Sequence, residues 1–166
     1  MNVRNRSMLI TWLKDAHAME RALEKVLQRQ ADHAADDFEL HRRIEEHIQT
    51  TRLQASRLET CLRRYDAPTS AIKDTMAWLT GLVQGIMTWT APDTKVKDML
   101  VGIAGERFEM ACYHSLEAAA MELGDQRTAE IARQNFQEEL EYCDFLQQRL
   151  SQVMVMTLRE QVTTAS

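Results

Sequence analysis

Four stretches of this chain repeat apolar residues in alternating steps of four and three, and three of the four rows are broken at mid-length by a glutamate. The rows are Leu9, Leu13, Ala16, Glu20, Leu23, Leu27, then Ile44, Ile48, Thr51, Ala55, Leu58, Leu62, then Met99, Ile103, Glu106, Met110, Tyr113, and finally Ala129, Ala132, Phe136, Glu139, Cys143, Leu146, Leu150, Val153. Steps of four and three keep successive side chains on one face of an α-helix, and a face that apolar must be covered by other helices. An ionised carboxylate taken out of water without a partner is expensive, so each row glutamate is paired, protonated or bound to a cation.

The punctuation places the elements. With only 5 Gly and 2 Pro, and aromatic residues at 6%, the chain favours helices over sheet and reads as all-α. A first helix is expected from about Arg6 to Ala31, with Ser7 as an alternative cap. The stretch "ADHAADD", Ala31 to Asp37, then supplies a turn and acidic residues suited to the start of a second helix, which ends before Pro68. A shorter helix from about Ser70 to Trp89 would span the crossover. "APD", Ala91 to Asp93, breaks it, and a further helix runs from Thr94 to Leu123. Gly124 stops that helix, Asp125 can cap the last one, and residues 158–166 are expected to fray. Two helical hairpins joined by one long crossover are the ferritin-like form of the four-helix bundle. Residues 1–166 are read as a single domain.

Charge and composition exclude several functions. The 20 basic residues are interspersed among 25 acidic ones for a net charge of −5, which leaves no basic patch for nucleic acid. The uncharged run between Asp74 and Asp93 carries Gln84, two glycines and Leu79, Leu82, Val83, Ile86 at helical spacing, an amphipathic helix and not a membrane span. Cys61, Cys112 and Cys143 are odd in number and far apart, as reduced thiols are. With a leading apolar run too short for a signal-peptide core, the expectation is cytoplasmic. No Gly-rich phosphate loop, Ser-His-Asp arrangement or paired CxxC is present.

The row glutamates carry the functional expectation. Glu20, Glu106 and Glu139 each fall near the middle of a helix, and mid-helix residues of an up-down bundle share one layer. Glu109, one turn after Glu106, flanks the same row. Carboxylates crowded in a low-dielectric core repel each other unless protons or cations intervene, and iron, manganese or zinc would supply that compensation as one or two ions. On the second helix the row residue at this height is Thr51, with His47 and Thr50 on the flank. His47 is the best nitrogen ligand available there.

In this arrangement the chain resembles the YciE/YciF-like branch of the ferritin-like superfamily, bacterial proteins of unknown function, from about Leu9 to Leu150. The resemblance is carried by "LKDAHAMERAL" (Leu13 to Leu23), "EEH" (Glu45 to His47), "RLE" (Arg57 to Glu59), "ERFEMACY" (Glu106 to Tyr113), "LG" (Leu123, Gly124) and "EE" (Glu138, Glu139). It implies a homodimer-forming four-helix bundle with an extra helix, induction under stress, and a di-metal carboxylate site in at least some members. Glu20, Glu106, Glu109 and Glu139 match the acidic positions that would face the metals. Two departures are notable: the family pattern H-x-x-E-T reads His47-x-x-Thr50-Thr51 here, and Cys143 stands where an aspartate is common.

Other candidates have plainer explanations. His17, three residues before Glu20, is read as packing. His114 and Glu117 are placed at the rim, and Cys143 as a small core filler. Two functional readings follow. One is a metal carboxylate protein that reacts ferrous iron with dioxygen or peroxide, the reaction being an implication of the resemblance. The other is a non-catalytic bundle, a dimer or interaction module whose site has eroded at Thr50 and Cys143.

Overall fold

The structure, a computed structural model, describes residues 3–67 and 93–164. Among them are four helices: α1 (Val3–His33), α2 (Phe38–Arg63), α3 (Thr94–Glu122) and α4 (Gln126–Thr164). The crossover helix expected over Ser70 to Trp89 lies outside the described residues.

Acidic caps start the helices where the sequence placed them. Asp37 adopts an extended conformation, and its Oδ1 accepts the Leu40 amide at 3.1 Å, satisfying one of the orphan donors of the first turn of α2. Asp125 does the same for α4, accepting the Thr128 amide at 3.2 Å and the Thr128 hydroxyl at 2.6 Å. The hydroxyl of Tyr65 and the guanidinium of Arg64 also reach Asp125, at 2.6 and 2.9 Å, so the end of α2 is tied to the start of α4. Gly124 follows α3 with φ of 75°, a left-handed conformation open to glycine. Its amide bonds to Met121 O and that of Asp125 to Ala120 O, at 3.0 and 2.9 Å, closing the helix end.

Three boundaries differ from expectation. α1 begins at Val3, so Ser7 lies inside the helix with its carbonyl accepting the Thr11 hydroxyl instead of capping it. It also ends two residues later, at His33. The tail expected to fray from residue 158 is helical to Thr164, in keeping with helix formers such as Leu158, Arg159 and Glu160.

α1 packs on α2 and on α3, while α4 packs on α3 and on α2. This leaves α1 diagonal to α4, and α2 diagonal to α3. The core is divided along its length. One apolar cluster gathers Leu9, Leu13, Leu58, Leu62, Tyr113 and Leu116. The other gathers Leu27, Leu40, Ile48, Met99, Tyr142 and Leu146. The row glutamates belong to neither cluster. Each of the three thiols is unbridged, Cys61 and Cys143 buried and Cys112 half-buried. Among the described residues no helix is long and apolar enough to cross a membrane.

Candidate metal centre

Each helix delivers its polar core residues from its interior, on or beside its apolar stripe, so the backbone at the site is helical throughout. α1 supplies Glu20, α2 supplies His47, α3 supplies Glu106 and, one turn on, Glu109, and α4 supplies Glu139. All five are buried, Glu20 and Glu139 completely, at 0% exposure. They form two overlapping groups of three: His47, Glu106 and Glu139, and Glu20, Glu109 and Glu139, the donor atoms of each group lying within 4.8 Å of one another. Glu139 is common to both.

Surrounding groups fix these side chains. The His47 ring stacks on Tyr142 with centroids 3.7 Å apart and planes 14° from parallel. Its Nε2 lies 3.4 Å from Glu106 Oε2 and 3.3 Å from Glu139 Oε2. Tyr113 donates its hydroxyl to Glu20 Oε1, and Gln54 donates its side-chain amide to Glu139 Oε1. Yet Glu20 Oε2, Glu106 Oε2 and Glu139 Oε2 are buried without a well-formed hydrogen bond. Buried polar atoms are almost always satisfied; here Glu20 Oε2 has no partner, and Glu106 Oε2 and Glu139 Oε2 meet only the one imidazole nitrogen at long range, which fits a site able to receive a cation. Carboxylate oxygens with one imidazole suit iron, manganese or zinc.

The electrostatics agree. Burial, reinforced by repulsion from Glu139, raises Glu20 well above the usual carboxylate range. Burial raises Glu109 likewise, with Glu139 and Glu20 adding to it. Burial also lifts Glu106, to about 8, against the pull of His47. Burial disfavours charge on His47, but the adjacent Glu106 and Glu139 outweigh it and hold the imidazole at about 10. Glu139 alone goes down: burial opposes its charge, and His47, Glu106 and Gln54 overcome that. The surroundings thus oppose charge on Glu20, Glu106 and Glu109 and favour it on His47 and Glu139, so a cation entering here would compete with protons.

This sets a pH dependence. Native Glu106 keeps its proton to about pH 8 where the unfolded chain releases it near 4.5, so its contribution to stability is full below 4.5 and is lost as pH rises toward 8. His47 acts in the same direction between 6.5 and about 10. Glu139 works oppositely, its contribution disappearing as pH falls below the usual carboxylate range. Each unit is worth about 1.4 kcal/mol and each kcal/mol about 2–4 °C at this size, so the thermal midpoint in chelator should be roughly 3 °C or more lower at pH 9 than at pH 6. A midpoint that rises over this range would contradict the arrangement.

The structure brings together all five sequence candidates. Thr51 is buried, whereas Thr50 is half-exposed and returns its hydroxyl to Glu46 O at 3.3 Å. His17 is more than packing: its Nε2 meets Glu59 Oε1 at 3.0 Å, outside the centre. His114 is exposed, and Glu117 pairs with Arg133 at 2.6 Å. Gln54 was missed. It lies seven residues after His47 and three after Thr51, on the same helix face, which was the available signal.

Comparison with known proteins places these features in context. The profile of the family described as Domain of unknown function (DUF892) matches residues 4–159. A solved protein from Xanthomonas campestris pv. campestris is 27% identical, with a TM-score of 0.79 over 95% of this chain and 98% of that one. The E. coli stress protein YciF shares 19% identity and the fold, with a TM-score of 0.79 over 93% of this chain and 98% of its own. YcfI from Rhodopseudomonas palustris has the same fold at 19% identity and a TM-score of 0.74, over 89% of this chain and 98% of that one.

Proposed function

The chain belongs to the DUF892 family, and from that premise we propose that it is a YciF-like, stress-associated protein that binds one or two metal ions in its core. The observation that carries this reading is the pair of buried donor groups sharing Glu139. Iron is the first candidate, with manganese or zinc as alternatives of the same donor preference. Bound iron would supply one-electron chemistry with dioxygen or peroxide.

The chain's own residues supply the rest. His47, Glu106 and Glu139 form one half-site from α2, α3 and α4; Glu20, Glu109 and Glu139 form the other from α1, α3 and α4. Tyr142 holds the His47 ring in plane, and Tyr113 orients Glu20, the outer-shell support that ligand geometry requires. The two apolar clusters flank the layer at both ends. The homodimer implied by the family likeness belongs to this reading. The exposed run Met154, Val155, Met156 with Leu158 on α4 supplies apolar surface in its support. The second reading, a non-catalytic bundle, is favoured by Thr50 turning back to its own helix and by a thiol at Cys143.

Metal retention separates the two. Purified chain loaded with ferrous, manganous or zinc ion and dialysed should keep one or two ions per chain. Its thermal midpoint should rise in step, because an ion at 100 times its Kd stabilises a native state that alone binds it by about 2.7 kcal/mol. No retained metal and an indifferent midpoint would select the second reading. The mass of the same sample in solution reports the dimer.

A further inference from the structure

Gln54 is fully enclosed, and it satisfies a neighbour at its own expense. Its amide nitrogen donates to Glu139 Oε1, while its carbonyl oxygen is buried without a partner. A side-chain amide offers both donors and an acceptor, so this orientation is imposed by the carboxylate it faces. The two oxygens of the shared glutamate are therefore inequivalent. Oε1 is engaged by the amide; Oε2 faces His47 Nε2 at 3.3 Å without a well-formed hydrogen bond. In the other half-site Glu20 Oε1 is likewise engaged, by Tyr113.

Two cations a few ångströms apart repel strongly, and a carboxylate that gives one oxygen to each is what makes such a pair tolerable. We infer that Gln54 governs how many ions the centre holds. By donating to Glu139 Oε1, it takes one of that oxygen's two lone pairs and would weaken it as a donor to a second ion. The half-site of His47, Glu106 and Glu139 then binds one ion tightly, and that of Glu20, Glu109 and Glu139 binds a second weakly. This rests on the metal-binding reading above. α2 contributes no carboxylate to the five-residue layer; His47, Thr51 and Gln54 make its polar core face.

Calorimetric titration with manganous ion tests it. The unmodified chain should show one strong step and a second at least about 10-fold weaker. Gln54→Met, which keeps length but removes the donor, should narrow that gap by roughly 10-fold, the scale on which outer-shell partners act. Gln54→Glu, which adds a carboxylate, should bind two ions with comparable constants. It serves as the deciding variant if Gln54→Met does not fold. Two equal constants in the unmodified chain, or a gap unchanged in both variants, would overturn the inference while leaving the metal site intact. Absence of binding in every form would instead overturn the metal reading, and this inference with it.

Discussion

Glu139→Gln should weaken metal binding at both half-sites, with the apparent affinity of the tighter one falling at least about 100-fold, near 3 kcal/mol. The carboxylate of Glu139 is the one donor common to the two groups, and it is the acid whose charge the fold already favours in the metal-free state. An amide of the same size preserves packing against the neighbouring helices but brings no negative charge, so the loss would be of ligation and not of shape. Glu20→Ala should behave differently, removing one half-site and leaving His47, Glu106 and Glu139 in place. Only Glu20→Ala combined with Glu106→Ala should approach the single Glu139 change. Metal titration of the three variants, with far-ultraviolet circular dichroism to verify folding, checks the order. If Glu139→Gln keeps the full stoichiometry at undiminished affinity, the shared carboxylate is not the hinge of the site.

Much of this was legible because helices convert spacing into direction. Glu20, Glu106 and Glu139 stood out as violations of an apolar period, and a period-breaking charge in a buried row has few physical explanations. Because each lay near mid-helix, antiparallel packing brought them to one height without any knowledge of interhelical distances. Glu109 and His47 were harder, since flank positions become core or surface according to how far a helix rotates about its axis. That rotation is set by packing partners and is invisible along a single segment. Gln54 escaped for a different reason. Glutamine is common on exposed faces, and sharing a face with His47 and Thr51 points to burial but not to the glutamate 85 residues away that accepts its amide. The same blindness applied to His17, whose partner Glu59 lies on another helix. The start of α1 was misplaced because Ser7 offers a plausible cap in sequence, while the observed helix simply continues through it.

Glu109→Met should make the metal-free chain more stable, by about 2 kcal/mol, and weaken its response to metal. Glu109 is buried at 3% exposure, and burial together with the charges of Glu139 and Glu20 raises its carboxyl well above the usual range. Folding therefore works against its charged form and favours the protonated one. Its contribution to stability is greatest in acid and declines as pH climbs above the unfolded value near 4.5. Methionine fills comparable volume, needs no proton and adds apolar contact. Replacing buried ionisable groups by well-packed apolar ones is stabilising by about 1–4 kcal/mol in favourable cases, here a rise of roughly 5 °C in the midpoint measured in chelator at pH 8. The fall of that midpoint between pH 5 and pH 8 should also become shallower. With manganous ion added, the substituted chain should lose the second, weaker binding step while keeping the first. A carboxylate that opposes folding and yet sits in an enclosed layer is what the proposed metal site would require. A lower midpoint for Glu109→Met in chelator would show instead that the acid itself supports the fold.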